Sequence, residues 1–235
     1  MNDFELWPGG PKLKQTAGAF PVGTDSVLLS HFASLSGVKK GLDMGSGTGI
    51  ISVLLLNRSD KLSMDLAEIV PSAAELSEEN CELNGYSERT RVFRCDLRSL
   101  REAEVGKYDL VITNPPYYEI NEKPLRDSVR ENARSEAGCT LPEIAKTAAG
   151  LLGTGGKFSM VYPAFRMAEA LRVLSESGIE PKRLRLVQER MGFAPSVFLV
   201  ECRRDGKPGL TVEPVLIIRD ENGSETREIR DIYHR

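Results

Sequence analysis

Strand-like and helix-like segments alternate along most of this chain, and this alternation constrains the fold more than any other feature. Short apolar runs bounded by glycine or polar turns predict strands, and longer apolar or amphipathic runs predict helices. The predicted strands cover residues 41–44, 61–69, 91–95, 108–113, 157–162, 184–187, 196–202 and 212–218, and the predicted helices cover residues 50–56, 71–83, 141–152 and 164–177. Alternation of this kind is typical of an α/β protein with a doubly wound, mostly parallel sheet. Ligands of such a protein bind at the carboxyl ends of the strands.

The segment ahead of this alternation has a different character. The first 22 residues are rich in glycine and proline and predict an irregular or hairpin-like arm. Thr24 or Asp25 can then cap a helix over residues 26–32. We find no repeat and no low-complexity linker. We therefore expect a single domain over residues 1–235, with the arm and helix at residues 1–35 and the α/β core at residues 36–235.

The composition is that of an ordinary globular protein, with 40% hydrophobic residues, 28% charged residues and a net charge of −3. This charge gives the whole molecule no nucleic-acid-binding signature, so a nucleic-acid substrate would need local basic patches.

The four cysteines share no Cys-x-x-Cys spacing and only two histidines accompany them, which argues against a metal site and for reduced thiols. Without a signal-like stretch or a membrane-spanning run, we expect a cytoplasmic protein. Its oligomeric state stays open, with a monomer as the simplest expectation.

A glycine-rich turn follows the first predicted strand. Its sequence is Asp43-Met44-Gly45-Ser46-Gly47-Thr48-Gly49. The three glycines let the backbone turn tightly and approach a ligand without an intervening Cβ. The spacing is Gly-x-Gly-x-Gly, whereas the dinucleotide fingerprint would need glycine in place of Ile50. The turn predicts a small-molecule site formed by Asp43, Gly45, Ser46, Gly47 and Gly49; the alternative is a glycine turn that binds no ligand.

Acidic residues also end the second and third predicted strands. Glu68, followed by Ile69, is spaced to accept hydrogen bonds from both hydroxyls of a ribose. Asp96, followed by Leu97, can accept from an adenine amino group while apolar neighbours flank the ring. Each carboxylate alone could be a solvated strand end. Together with Asp43 they suit a ligand with an ammonium, a sulfonium and a ribose better than one with phosphates.

The fourth predicted strand runs directly into Asn114-Pro115-Pro116-Tyr117. A conjugated amine is a poor nucleophile, and two acceptors on its N–H groups would favour the pyramidal geometry needed for attack on a sulfonium methyl. The Asn114 side-chain oxygen and the Pro115 carbonyl can be those acceptors, and the prolines hold the backbone in position. Tyr117 offers a flat face on which a base can stack. This chemistry needs no metal and no general base. The alternative is a proline-rich loop that merely ends a strand.

These motifs resemble those of class I methyltransferases over roughly residues 40–120. The resemblance implies a seven-stranded sheet whose last strand is antiparallel, and S-adenosylmethionine as the cofactor. It further implies that the ribose binds Glu68, that adenine lies between Ile69 and Leu97, and that the adenine amino group meets Asp96.

The whole chain resembles the bacterial family of tRNA1(Val) (adenine-37-N6)-methyltransferases. The resemblance is carried by residues 20–29, 114–118, 133–136 and 206–210, although Arg134-Ser135-Glu136 stands where Arg-His-Glu is frequent in the family. It implies a tRNA partner whose anticodon-loop adenine is flipped into the site. Arg126, Arg130 and Arg134 recur every four residues and could line one helical face toward the RNA. Acidic residues lie among them, so a solvated mixed-charge helix fits equally well.

Three alternatives differ in substrate or in activity. Methylation of a glutamine side chain in a protein uses the same four-residue motif, but such enzymes normally carry a helical domain before the cofactor motif, and Asp43 comes too early for one. A DNA methyltransferase would need a target-recognition insert, whereas the chain after Tyr117 is predicted to complete the sheet. A cofactor-binding module without catalysis is disfavoured by the intact Asn-Pro-Pro-Tyr motif.

Overall fold

A computed structural model describes residues 2–15, 23–100, 107–116 and 139–235. The first part of the chain forms β1 (Asn2–Glu5), β2 (Lys12–Gln15), α1 (Thr24–Phe32), β3 (Lys40–Met44), α2 (Ile50–Arg58), β4 (Ser63–Glu68), α3 (Pro71–Leu83), β5 (Thr90–Arg94) and β6 (Tyr108–Thr113). The later part forms α4 (Leu141–Leu151), β7 (Leu152–Pro163), α5 (Met167–Glu176), β8 (Ile179–Arg190), β9 (Val197–Arg204), β10 (Thr211–Val212), β11 (Leu216–Arg219) and α6 (Arg227–Ile232). Short 3-10 turns cover Ser87–Arg89, Leu97–Ser99 and Ala164–Arg166.

The described strands after the arm form a nine-stranded sheet in the order β10-β8-β9-β7-β6-β3-β4-β5, with β11 also paired to β8. Apart from the short edge strands β10 and β11, seven strands remain, and only β9 runs antiparallel to its neighbours. The predicted α/β fold with a mostly parallel, doubly wound sheet is therefore confirmed.

The strand predicted at residues 212–218 is wrong in detail, because the structure has two short strands there. Pro214 stands between them and has no backbone N–H to donate to β8. The backbone N–H of Glu213 still donates to the Leu184 carbonyl at 2.8 Å, so the chain follows the same sheet edge. The helix α6 after this edge was not predicted.

Alternation along the strands builds a hydrophobic core on each face of the sheet. Leu110 and Ile112 of β6 join a cluster with α1 and α2, whereas Val111 joins a cluster with α4 and α5. Helix α2 is buried from Ile50 to Leu56, since it packs against the sheet, α1 and α3. Helices thus cover both faces, and the strand ends remain as the place for polar groups.

The predicted arm is a β1–β2 hairpin over residues 2–15, and it docks on α3. The backbone N–H of Lys12 donates to Oδ1 of Asn84 at 2.9 Å, and that of Lys14 donates to Oδ1 of Asn80 at 2.7 Å. The buried Asn80 amide also donates to the Thr48 carbonyl at 2.9 Å. One asparagine therefore joins the arm to the glycine turn.

Candidate active site

The carboxyl ends of β3, β4, β5 and β6 lie side by side at one edge of the sheet. Their registers pair Met44 with Ala67, Glu68 with Arg94, and Asp43 with Ile112. Thr113 donates its hydroxyl to the Met44 carbonyl at 2.7 Å and so joins the end of β6 to the end of β3. The residues predicted from three acidic strand ends and from the proline motif therefore share one edge.

The glycine turn between β3 and α2 is held by backbone hydrogen bonds. Gly45 and Ser46 both donate to the Ala67 carbonyl, at 2.8 and 3.1 Å. Gly45 and Gly47 have φ values of +73° and +54°, and a Cβ at either would meet nothing within 4 Å. The turn therefore leaves open space beside its backbone.

Gly49 serves a different purpose from the other two glycines. Its φ is +79°, and a Cβ there would lie 3.0 Å from the Cβ of Ser77 on α3. Gly49 packs against α3, and its predicted role in binding the cofactor stays a prediction. Its absent side chain lets α2 begin close to that helix.

Glu68 fastens the glycine turn to the end of β4. One carboxylate oxygen accepts from the Gly47 backbone N–H at 2.8 Å, and the other accepts from the Val70 N–H at 2.9 Å. The side chain is buried. Since each carboxylate oxygen can accept more than one hydrogen bond, both keep acceptor capacity for the hydroxyls of a ribose.

Asp43 is fully buried at the end of β3 and accepts from the Ser52 hydroxyl at 2.9 Å. Burial, with a smaller contribution from the charge of Glu68, raises the pKa of Asp43 to about 7 against the lowering effect of the Ser52 hydrogen bonds. Three buried side-chain oxygens of the described residues have no hydrogen-bond partner: Oδ1 of Asp43, Oγ of Ser46 and, away from this turn on β7, Oγ of Ser159. Buried polar atoms normally have partners, so the two in and beside the glycine turn favour a ligand with donors.

Asp96 follows β5, as predicted, but its carboxylate is already engaged by Arg98. Oδ1 accepts from the Arg98 backbone N–H at 2.8 Å, and Nε of Arg98 lies 2.9 Å from Oδ2. These bonds hold the pKa of Asp96 below its usual range. Arg98 also pairs with Glu143 at the start of α4 at 3.3 Å. An adenine amino group would have to share the carboxylate with this arginine, which the sequence analysis did not single out.

Ile69 and Leu97, predicted to flank adenine, are half-buried; Ile69 directly follows β4, and Leu97 begins the 3-10 turn after β5. The Cys95 N–H donates to the Glu68 carbonyl at 3.0 Å and keeps these two strand ends together. Both apolar side chains thus lie beside the acidic residues that precede them.

The proline motif begins at the end of β6. Nδ2 of Asn114 donates to Oγ of Ser26 at 3.0 Å. Pro115 is buried and Pro116 is exposed. Ser26 lies buried in the first turn of α1 and was not predicted as a site residue. Its only sequence signal was its membership of the segment 20–29 that resembles the family.

Four predicted substrate contacts fall outside the described residues. They are Tyr117, Arg126, Arg130 and Arg134. Their roles stay predictions.

The described residues at this edge fit S-adenosylmethionine. Gly45 and Gly47 leave a cradle that a Cβ would fill, and the unpartnered oxygens of Asp43 and Ser46 call for hydrogen-bond donors. The three carboxylates suit a cationic ligand with hydroxyls and suit phosphates poorly.

In the described ranges, no group of histidine, cysteine, aspartate and glutamate side chains could hold a metal ion. No helix in those ranges has both the length and the apolar character that crossing a membrane requires.

Solved structures of low sequence identity share this fold. A predicted O-methyltransferase of Agrobacterium tumefaciens matches 90% of this chain and 96% of its own with a TM-score of 0.72 and 22% identity. A tRNA m1G37 methyltransferase of M. jannaschii matches 84% of this chain and 55% of its own with a TM-score of 0.60 and 18% identity. These structures show the fold. The methyltransferase small domain model, which matches residues 17–178, makes the class the S-adenosylmethionine-dependent methyltransferases.

Relatives that are similar in sequence place the chain in one family within this class. A protein of Tolumonas auensis named tRNA1(Val) (adenine(37)-N6)-methyltransferase is 32% identical over 88% of this chain and 86% of its own length. A protein of Photorhabdus laumondii with the same name is 30% identical over 91% of this chain and 87% of its own length. The chain belongs to the methyltransferase small domain family, whose model matches residues 17–178, and to the family of these relatives.

Proposed function

We propose that this protein transfers a methyl group from S-adenosylmethionine to N6 of an adenine in tRNA, in the manner of an anticodon-loop A37 methyltransferase. The names of the relatives support a tRNA adenine as the substrate. The hydrogen bond from the Asn114 amide to Ser26, which orients the amide, is the observation that supports the reaction. We further propose that the chain acts in the cytoplasm as a single domain and a monomer. The bonds of the arm to α3 support the single domain.

Glu68, Asp43 and the glycine turn would hold the cofactor. Glu68 would accept from the ribose hydroxyls, Ile69 and Leu97 would flank the adenine ring, and Asp43 would face the positive end of the ligand. When bound, S-adenosylmethionine supplies an electrophilic methyl group on a sulfonium. The polar edge orients this group and replaces water around it.

Asn114 and Pro115 would bind the amino group of the substrate. Because Ser26 engages the amide nitrogen of Asn114, the amide oxygen is the atom that the side chain can present to a substrate N–H. The Pro115 carbonyl would accept the second N–H. These two acceptors would draw the nitrogen lone pair out of conjugation and align it for in-line attack on the sulfonium methyl. As the N–C bond formed, the methyl–sulfur bond would break, the sulfur would keep the electron pair in the neutral thioether S-adenosylhomocysteine, and the methylated nitrogen would then lose a proton to water.

Substitution of Asn114 tests this proposal. We expect Asn114→Ala to lower methyl transfer to unmodified tRNA by orders of magnitude, while cofactor affinity by calorimetry stays unchanged, because the amide acts only on the substrate. The assay uses labelled cofactor, followed by nucleoside mapping of the product. Asn222→Ala, in an exposed turn far along the chain, is the matched control. Label recovered in protein rather than in adenine, or full turnover by Asn114→Ala, would contradict the proposal.

A further inference from the structure

Three large apolar side chains are exposed near the candidate active site. Phe165, Met191 and Phe193 have 72%, 70% and 61% of their surface exposed, and we call them the apolar rim. Phe165 lies in the 3-10 turn Ala164–Arg166 that follows β7, and the other two lie in the turn between β8 and β9. Since β7 and β8 run parallel to β6, their carboxyl ends lie at the same sheet edge as Asn114.

The backbone on which these side chains stand is well connected. The Ala164 N–H donates to the Ser196 carbonyl at 3.0 Å and joins the end of β7 to the β8–β9 turn. Nε2 of Gln188 donates to the Phe193 carbonyl at 2.8 Å, and the Phe193 N–H donates to the Arg190 carbonyl at 3.2 Å. The exposed rings are therefore presented from hydrogen-bonded turns.

The position of the rim indicates what it faces. The ends of β3, β4 and β5 carry the residues proposed to hold the cofactor, so a substrate reaches Asn114 from the side of β7, β9 and β8. Scattered exposed apolar side chains are normal, but here three large ones follow strands that end at one edge. Arg190, next to Met191 in the chain, is exposed and makes no ion pair with any residue in the described ranges, and its guanidinium lies near Gly223. Flat apolar faces with a cation at the end of the same strand are complementary to single-stranded RNA.

We propose that the apolar rim is a stacking surface for the unpaired nucleobases that flank the target adenine in the RNA. The inference rests on the proposed function and adds the surface that binds the substrate. A base that is flipped into a site leaves its neighbours without stacking partners, and aromatic side chains replace those partners. Phe165 and Phe193 supply flat faces, and Arg190 supplies a charge for a phosphate.

The test compares leucine and tyrosine at both phenylalanines. Phe165→Leu and Phe193→Leu keep an apolar side chain but lose the flat face, whereas Phe165→Tyr and Phe193→Tyr keep the ring. We expect each leucine variant to raise the KM for tRNA by about 10-fold, in the range that one base–aromatic stack contributes. The tyrosine variants should stay within about twofold of the original chain. Val212→Ala, at a 61% exposed apolar position on the edge strand β10, is the control.

Separate measurements distinguish this inference from the proposed function. Cofactor affinity should be equal in all variants, and anisotropy with a labelled single-stranded RNA oligonucleotide measures binding even without methyl transfer. Unchanged KM and RNA affinity in the leucine variants, or equal losses in the leucine and tyrosine variants, would overturn the stacking surface. If the leucine substitutions instead dissociate a dimer and leave RNA binding intact, the rim is a contact between copies and the proposal is wrong. Failure of the unsubstituted chain to methylate tRNA would count against the proposed function alone.

Discussion

Ser26 connects α1 to the chemistry at the end of β6. Its hydroxyl accepts from the Asn114 amide at 3.0 Å, and its own carbonyl accepts from the Ser30 hydroxyl at 2.6 Å. An amide side chain can turn about its last bond, so this hydrogen bond selects which atom of Asn114 faces the substrate. Ser26 is therefore a positioning residue for the proposed reaction.

Removal of the Ser26 hydroxyl should affect turnover more than binding. We expect Ser26→Ala to lower kcat about 5-fold to 10-fold, as for the loss of one buried hydrogen bond, with the cofactor Kd unchanged. Ser26→Thr, which restores a hydroxyl, should recover most of the rate. Steady-state kinetics with tRNA measures kcat for both variants, and calorimetry measures the cofactor Kd.

Ser30→Ala is the matched control because the Ser30 hydroxyl bonds only within α1 in the described structure. An equal loss of kcat in Ser30→Ala would mean that Ser26 acts through helix stability and not through Asn114.

At the scale of elements, the glycine turn and α3 depend on each other. Gly49 caps the start of α2 in the left-handed region and lies against Ser77 of α3. Asn80, also on α3, donates a hydrogen bond to the Thr48 carbonyl. The turn is therefore shaped by the helix behind it as much as by its own glycines.

Two glycine substitutions separate backbone strain from packing. Gly49 and Gly85 have φ values of +79° and +74°, so alanine at either costs about 1–2 kcal/mol of strain. Only at Gly49 would the new Cβ meet a neighbour, at 3.0 Å. We expect Gly49→Ala to lower the free energy of unfolding by about 1–3 kcal/mol more than Gly85→Ala does. Urea denaturation measures the difference, and equal losses would show that α2 and α3 separate without strain.

At the scale of the whole molecule, the buried Asp43 makes stability depend on pH. Its pKa in the folded protein is about 7, against an ordinary value of 3.8, because burial disfavours the charged form. Since folding raises this pKa, the contribution of the Asp43 carboxyl to stability is fully present below about pH 4 and is lost as the pH rises through 7. Over that window the titration of Asp43 lowers the free energy of unfolding by roughly 4 kcal/mol.

The Asp43→Asn variant should lose this dependence. Between pH 4 and pH 8, the unfolding free energy of the cofactor-free original chain should fall relative to that of Asp43→Asn. Asp60→Asn, at an exposed turn after α2, should follow the original chain. Urea denaturation across the pH series gives the comparison, and parallel curves for all three proteins would mean that Asp43 does not titrate in this range.

The resemblance to class I methyltransferases implied the cofactor. The class of fold and the edge at which the polar residues meet were predicted from local patterns: the period of apolar residues defines each element, and a parallel sheet brings the ends of neighbouring strands together. Asp43, Glu68, Asp96 and Asn114 could be found in this way because each lies within two residues of the carboxyl end of a strand.

The partners of those residues came from the structure. The pairing of Arg98 with Asp96 is local, across two residues, and was not predicted. Ser26 meets Asn114 and Gly49 packs against α3, and neither of these two contacts follows from a local pattern. The two edge strands around Pro214 and the exposed rim around Phe165 are further examples. Each depends on segments far apart in the chain, or on which surface remains uncovered after packing, and burial is a property of the assembled molecule.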